Sequence, residues 1–123
     1  MAKILIVDDS RTSRKFLRDI LEKSGNEIVG EAVNGREGFD LYQKLRPDIV
    51  TMYITMPVMD GLDSLKLIMR FDPAAKVVMV TAAGQQQKML EAVKLGALEF
   101  IAKPFDTPTI AETVNKIMEK DDE

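Results

Sequence analysis

Short continuous apolar runs alternate along the chain with longer stretches whose apolar residues recur every three or four positions. A continuous run marks a strand covered on both faces, and the wider spacing marks one face of a helix. Ile4 to Val7 is the first run, and it stops at Asp8 and Asp9. Phe16, Leu17, Ile20 and Leu21 then fall on one helical face, with Gly25 as its stop. Glu27 to Val33 reads as a second strand. Phe39, Tyr42 and Leu45 line a second helix that Pro47 ends, and Asp48 to Tyr53 is a third strand. Ile54 to Gly61, which holds Pro57 and Gly61, reads as a loop. Leu62, Leu65, Ile68 and Met69 make a helix closed by Asp72 and Pro73, and Val77 to Thr81 follows as a fourth strand. Gln85 to Leu95 carries Met89, Ala92 and Val93 at helical spacing, with Gly96 beyond it. Leu98 to Ala102 is a fifth strand, and Ile110, Val114 and Ile117 line the last helix.

Five strand and helix units in strict alternation predict an α/β fold, a doubly wound five-stranded parallel sheet with five helices. Each right-handed crossover lays a helix over one face of such a sheet. No repeat, linker or second domain interrupts residues 1–123, which read as a single domain. Ligands of such sheets sit outside the carboxyl ends of the strands. The residues at those ends are Asp8 and Asp9, Tyr53, Thr81 with Ala82 and Ala83, and Lys103.

Composition narrows the chemistry available there. The chain has 17 basic and 20 acidic residues, a formal charge of −3, and no Cys or His. Disulfides, Cys-His and Ser-His-Asp nucleophiles and His-ligated zinc are thereby excluded, and any phosphohistidine must belong to a partner. The longest apolar runs, such as Ile4 to Val7 and Val77 to Val80, are too short for a membrane span. The expected compartment is the cytoplasm, with no membrane attachment. An acidic chain with no long basic stretch argues against nucleic acid as a ligand, because phosphate neutralisation needs a basic face.

Adjacent carboxylates at Asp8 and Asp9 suit Mg2+, while Thr81 and Lys103 suit the oxygens of a phosphoryl group. Neither a G-x-G-x-x-G nor a G-x-x-x-x-G-K-[ST] loop follows any strand, so a nucleotide cradle is not indicated. The segments Val7-Asp8-Asp9-Ser10, Tyr53-Ile54-Thr55-Met56-Pro57-Val58-Met59-Asp60-Gly61, Val80-Thr81-Ala82 and Lys103-Pro104-Phe105 resemble the receiver domains of two-component response regulators. Within that family the chain looks most like the stand-alone chemotaxis type, and the resemblance covers essentially its whole length. It implies the flavodoxin-like strand order 2-1-3-4-5. It further implies that Asp8, Asp9 and the backbone carbonyl of Thr55 hold Mg2+, and that Thr81 and Lys103 contact the phosphoryl oxygens. Thr81 and Phe100 would form the conformational switch, and the Lys103-Pro104 peptide bond would be cis. The implied partners are a histidine kinase or phosphotransfer domain and a flagellar motor switch protein or other signalling target. The first would meet the first helix and the loop after strand five; the second, the face of helix four, strand five and helix five. A monomeric signalling module, not an enzyme, is expected.

The chain departs from the family pattern at its centre, where Tyr53 stands in place of the phosphoacceptor aspartate. A phenol is neutral at pH 7, cannot form an acyl phosphate, and removes a negative oxygen from the metal site. The expected consequence is a non-phosphorylatable binding module with weakened Mg2+ affinity, in which Tyr53 either locks the inactive state or mimics the active one. The alternative is a phosphotransfer-competent receiver that uses Asp8, Asp9 or Thr55 as acceptor. A flavin-binding protein is disfavoured, since the chain has no Trp and no phosphate-cradling loop. Phe100 has no hydroxyl to leave unpaired, so its inward rotamer is expected. Arg11, Arg14, Lys15 and Arg18 form a basic face, solvated or docking, and the Glu119 to Glu123 tail is expected to fray.

Overall fold

Ile4, Leu5, Ile6 and Val7 are all buried, which only a strand covered on both faces achieves. The computed structural model describes the backbone of residues 1–122 and the side chains through Glu119. It places β1 (Lys3–Val7) second in a parallel sheet with β2 (Glu27–Ala32), β3 (Ile49–Tyr53), β4 (Val77–Thr81) and β5 (Glu99–Ala102). The strand order is β2-β1-β3-β4-β5, as the resemblance implied. The helices are α1 (Arg11–Lys23), α2 (Gly35–Leu45), α3 (Gly61–Phe71), α4 (Gln86–Lys94) and α5 (Thr107–Asp122).

Alternation along β1 divides the core into two layers. Ile4 and Ile6 pack with Leu17 and Leu21 of α1 and Ile110, Val114 and Ile117 of α5. Leu5 and Val7 share the opposite layer with Tyr42 of α2, Leu65 and Ile68 of α3 and Ala92 of α4. Four helices begin on a short polar side chain that accepts from the first turn: Ser10 from Ser13 N, Asn34 from Glu37 N, Asp60 from Asp63 N, and Asp106 from Thr109 N. Gly25, with φ 88°, closes α1 at the expected place.

The predicted strands overrun at Val33, Asp48 and Leu98, which lie just outside the ladder. Three residues assigned to buried helical faces are exposed: Phe16, Leu45 at the last position of α2, and Val93. Phe16 lies beside the Leu17, Ile20 and Leu21 stripe, and its ring stacks on Phe105 at 5.9 Å. Val93 is exposed because α4 buries only Ala92. In the tail expected to fray, α5 continues to Asp122, and Glu123 lies outside the described residues.

At the edge of the sheet opposite the strands' carboxyl ends, the Tyr42 hydroxyl donates to Asp72 Oδ2 at 2.7 Å. The Arg46 guanidinium lies 3.7 Å from the same oxygen and 4.5 Å over the Phe71 ring. Burial and the neighbouring carboxylate push the Tyr42 phenol above its ordinary range. The phenol's hydrogen bond holds the Asp72 carboxyl below its usual 3.8. A depressed carboxylate contributes stability above its unfolded value and loses it as pH falls through the folded one. The stability difference between the parent and Tyr42→Phe, followed by urea unfolding, should therefore be largest near neutral pH and shrink below 3.8.

Gly61 fixes the position of Tyr53. Its amide donates to Ile54 O at 2.7 Å, and a Cβ there would collide with the Tyr53 carbonyl oxygen, a backbone atom that cannot swing away. Gly61→Ala should destabilise the protein by about 2 kcal/mol, the usual cost of overpacking a close contact. Urea unfolding at constant slope measures it, and a loss under about 0.5 kcal/mol would show the contact to be soft.

Candidate functional site

The register of the sheet brings four strand exits to one edge. Val7 is level with Met52, Tyr53 with Val80, and Thr81 with Ala102, so Asp8 and Lys103 leave the sheet on either side of Tyr53. Chain connections diverge between β1 and β3, and this opens a crevice at their carboxyl ends. Asp8 is held there by its backbone. Its amide donates to Ala32 O at 3.0 Å, and its carbonyl accepts from Arg14 Nη1 at 2.8 Å. Its Oδ1 accepts from Ser10 N at 2.9 Å. Lys103 is held in turn by its amide, which donates to Thr81 O at 2.7 Å, and the Lys103-Pro104 bond is cis.

The Lys103 ammonium lies 3.0 Å from Asp8 Oδ2 and 3.7 Å from the centroid of the Tyr53 ring. The Phe105 ring is more distant, at 5.9 Å. The Asp8 side chain is only 1% exposed and that of Lys103 21%, so the charges meet with little intervening water. Ammonium and ring attract because the face of the ring carries the negative part of its quadrupole. The ion pair is close but not directed along a hydrogen bond, and Oδ2 remains a buried oxygen without a donor. Its charge is compensated while its lone pairs are not.

Thr81 is buried at the end of β4. A cavity of about 360 Å³ opens beside it, lined by Ala82, Gln85, Met89, Phe100 and Lys103 among others. Phe100 is 46% exposed, which corrects the expectation of an inward rotamer. β5 is the edge strand, and the short α4 above it buries only Ala92, so no neighbour draws the ring inward. Asp9 and Thr55 are exposed at the same edge. Thr55 Oγ1 accepts from Gln85 Nε2 at 2.8 Å, and Gln85 Oε1 accepts from Ala82 N at 2.6 Å.

The basic face on α1 is largely engaged within the molecule. Arg14 and Arg18 both bind Glu31, at 3.0 and 2.9 Å, and Lys15 lies 3.7 Å from Asp19. Sequence reasoning missed Gln85 and the Arg14 contact to the Asp8 carbonyl. Neither lies at a strand end, and no spacing rule links positions 14 and 8 or 85 and 55.

The oxygen donors of Asp8, Asp9 and the Thr55 carbonyl match Mg2+ in kind, and the donor-free Oδ2 of Asp8 is the type of atom a hard cation satisfies. Among the described residues, however, no group of three acidic side chains forms. One of the two carboxylates already faces an ammonium.

Removing the ammonium would leave Asp8 buried and uncompensated. Lys103→Met should cost about 3 kcal/mol in urea unfolding, and Lys103→Met with Asp8→Asn should recover most of it. Equal losses in the single and double variants would show that the pair is not coupled.

Residues 4–115 match the family described as response regulator receiver domain. The chain is 50% identical over 115 residues to the chemotaxis protein CheY of Thermotoga maritima, covering 94% of this chain and 96% of that one. It is 45% identical over 116 residues to CheY of Bacillus subtilis, covering 94% and 97%. Among solved structures, it superposes on the CheX-CheY-BeF3-Mg2+ complex of Borrelia burgdorferi with a TM-score of 0.90 and 38% identity, covering 94% of this chain and 88% of that chain. CheY is also a standard example of the 2-1-3-4-5 order seen here. On its motifs, its strand order and these matches, the chain belongs to the response regulator receiver domain family, with CheY proteins among its relatives.

Proposed function

We propose that residues 1–123 act as a single chemotaxis-type receiver that binds its target without being phosphorylated. The observation that carries this reading is the Asp8, Lys103 and Tyr53 cluster. An acyl phosphate needs a carboxylate nucleophile at the end of β3, and a phenol is no substitute. The lysine that would meet phosphoryl oxygens is occupied by a carboxylate and a ring. In this reading Asp8, Asp9 and the Thr55 carbonyl hold Mg2+ weakly, because one carboxylate is missing and another is already compensated. When bound, the ion would supply charge neutralisation at the crevice.

Two surfaces suit the proposed partners. Leu90, Val93, Leu98 and Phe100 are exposed on α4, the turn after it and β5, an apolar face fit for a flagellar motor switch protein or another signalling target. Phe16 and Phe105 flank a second cavity, of about 380 Å³, with Thr12, Ser13, Lys103 and Pro104. That position suits a histidine kinase or phosphotransfer domain. The CheX-CheY complex supports a protein partner for a chain of this fold. No described helix is long and apolar enough to cross a membrane, and the proposed compartment is the cytoplasm. The proposed role is that of a monomeric signalling module.

The test is labelling by acetyl phosphate with Mg2+, read by intact mass. Tyr53→Asp should gain one phosphoryl group that hydroxylamine removes, since positioning and charge neutralisation are already in place. The parent should gain none. Calorimetric titration should show Mg2+ binding at least about tenfold tighter in Tyr53→Asp, the effect of one more ligand charge. Equal labelling of the parent would instead assign the acceptor to another residue, with the exposed Asp9 the first to be substituted. Labelling of neither protein would reject phosphoryl chemistry at this crevice.

A further inference from the structure

Gln85 occupies the position immediately before α4, yet its side chain makes no capping bond to that helix. Ser10, Asn34 and Asp60 cap their helices forward, whereas the Gln85 carboxamide reaches backward and sideways. Its oxygen accepts from Ala82 N at 2.6 Å and its nitrogen donates to Thr55 Oγ1 at 2.8 Å. Gly84, with φ 85°, supplies the left-handed turn between Ala82 and Gln85. One carboxamide thus uses both its donor and its acceptor to join the loop after β3 to the loop after β4.

The joined amide belongs to the cavity beside Thr81, which adjoins the crevice through Lys103, the neighbour of Asp8 and Tyr53. Thr81, Ala82, Gln85, Phe100 and Lys103 bound the same cavity. If the crevice keeps a receiver's affinity for oxyanions, the reading on which the Tyr53→Asp test above rests, then Ala82 N–H is a donor open to them, beside the Thr81 hydroxyl and the Lys103 ammonium. That donor is already taken. We infer that Gln85 is a tether that closes the β4–α4 loop across the crevice, and that an oxyanion reaches the Ala82 amide only by displacing it. An amide oxygen is neutral, and an oxyanion forms a stronger, charge-assisted bond to the same N–H. Displacement releases Thr55 and unties the loop that leads into α4. Because α4 is anchored by Ala92 alone among its buried residues, the release loosens the element that carries the exposed Leu90 and Val93. The tether therefore links occupancy of the crevice to the apolar face.

Inorganic phosphate is the probe, titrated into the isotopically labelled parent, Gln85→Ala and Gln85→Glu, with the Ala82 amide followed by NMR. Without the competing oxygen, Gln85→Ala should bind phosphate about fivefold more tightly than the parent, the worth of one neutral hydrogen bond. Gln85→Glu, whose carboxylate both holds the amide and repels the anion, should bind about fivefold more weakly. In the absence of phosphate, the Ala82 amide of Gln85→Ala should exchange with solvent about tenfold faster than in the parent. Equal affinities in the three proteins, unchanged exchange, or a phosphate response that leaves Ala82 unmoved would each overturn the tether. So would the absence of any response to phosphate. Labelling of the parent by acetyl phosphate would overturn the proposed function without altering this titration, so the two failures are distinguishable.

Discussion

Lys103 places a full positive charge 3.0 Å from a carboxylate withdrawn from water and 3.7 Å from the face of an aromatic ring. Burying Asp8 alone would carry a large desolvation penalty, and burying Lys103 alone would do the same. Together they offset one another, and the ring adds an attraction of about 1 kcal/mol that needs no second anion. The arrangement holds only if three separate strands end at the same level. A slip of one residue between β1 and β3, or between β4 and β5, would turn one member toward the opposite layer and leave the others unpaired.

The two-layered core supplies that constraint. Isoleucines on one side of β1 and Leu5 and Val7 on the other commit the strand to a single register, because any shift would exchange the residues facing α1 and α5 for those facing α2 and α3. The contact between Gly61 and the Tyr53 carbonyl then fixes where β3 stops, and the Lys103 amide bond to Thr81 fixes how β5 leaves the sheet. Backbone contacts at the edge of the sheet therefore set the side-chain chemistry.

The sequence made the framework of this site legible and concealed its contacts. Asp8, Tyr53, Thr81 and Lys103 could be placed because burial on both faces produces continuous apolar runs, and the polar residue ending each run is visible. The approach of Lys103 to the Tyr53 ring could not be placed, because it joins residues fifty positions apart through a flexible side chain that no periodicity constrains. Phe16 and Phe100 were misplaced for a related reason. Apolar character predicts burial only where neighbours cover the residue, and Phe16 meets only the Phe105 ring on one face while Phe100 lies on the edge strand β5. Gln85 escaped notice because its two partners come from different loops, and a glutamine before a helix ordinarily signals nothing.

An aromatic residue at position 53 suits the charges around it better than a small or aliphatic one would. With aspartate there, Lys103 would face two carboxylates; with alanine or leucine, it would face Asp8 and otherwise apolar surface, and would lose attraction on one side. A tyrosine ring restores an attractive surface to the ammonium while adding no charge and no acyl acceptor. It does so without the third carboxylate whose mutual repulsion with Asp8 and Asp9 would call for a cation to relieve it. In the proposed reading Tyr53 therefore leaves position 53 without a nucleophile and with less call for a metal, while the lysine keeps a partner. On that proposal, a crevice of two acids, a lysine and a ring is electrostatically closer to self-contained than one of three acids and a lysine, and would depend less on an ion from solution.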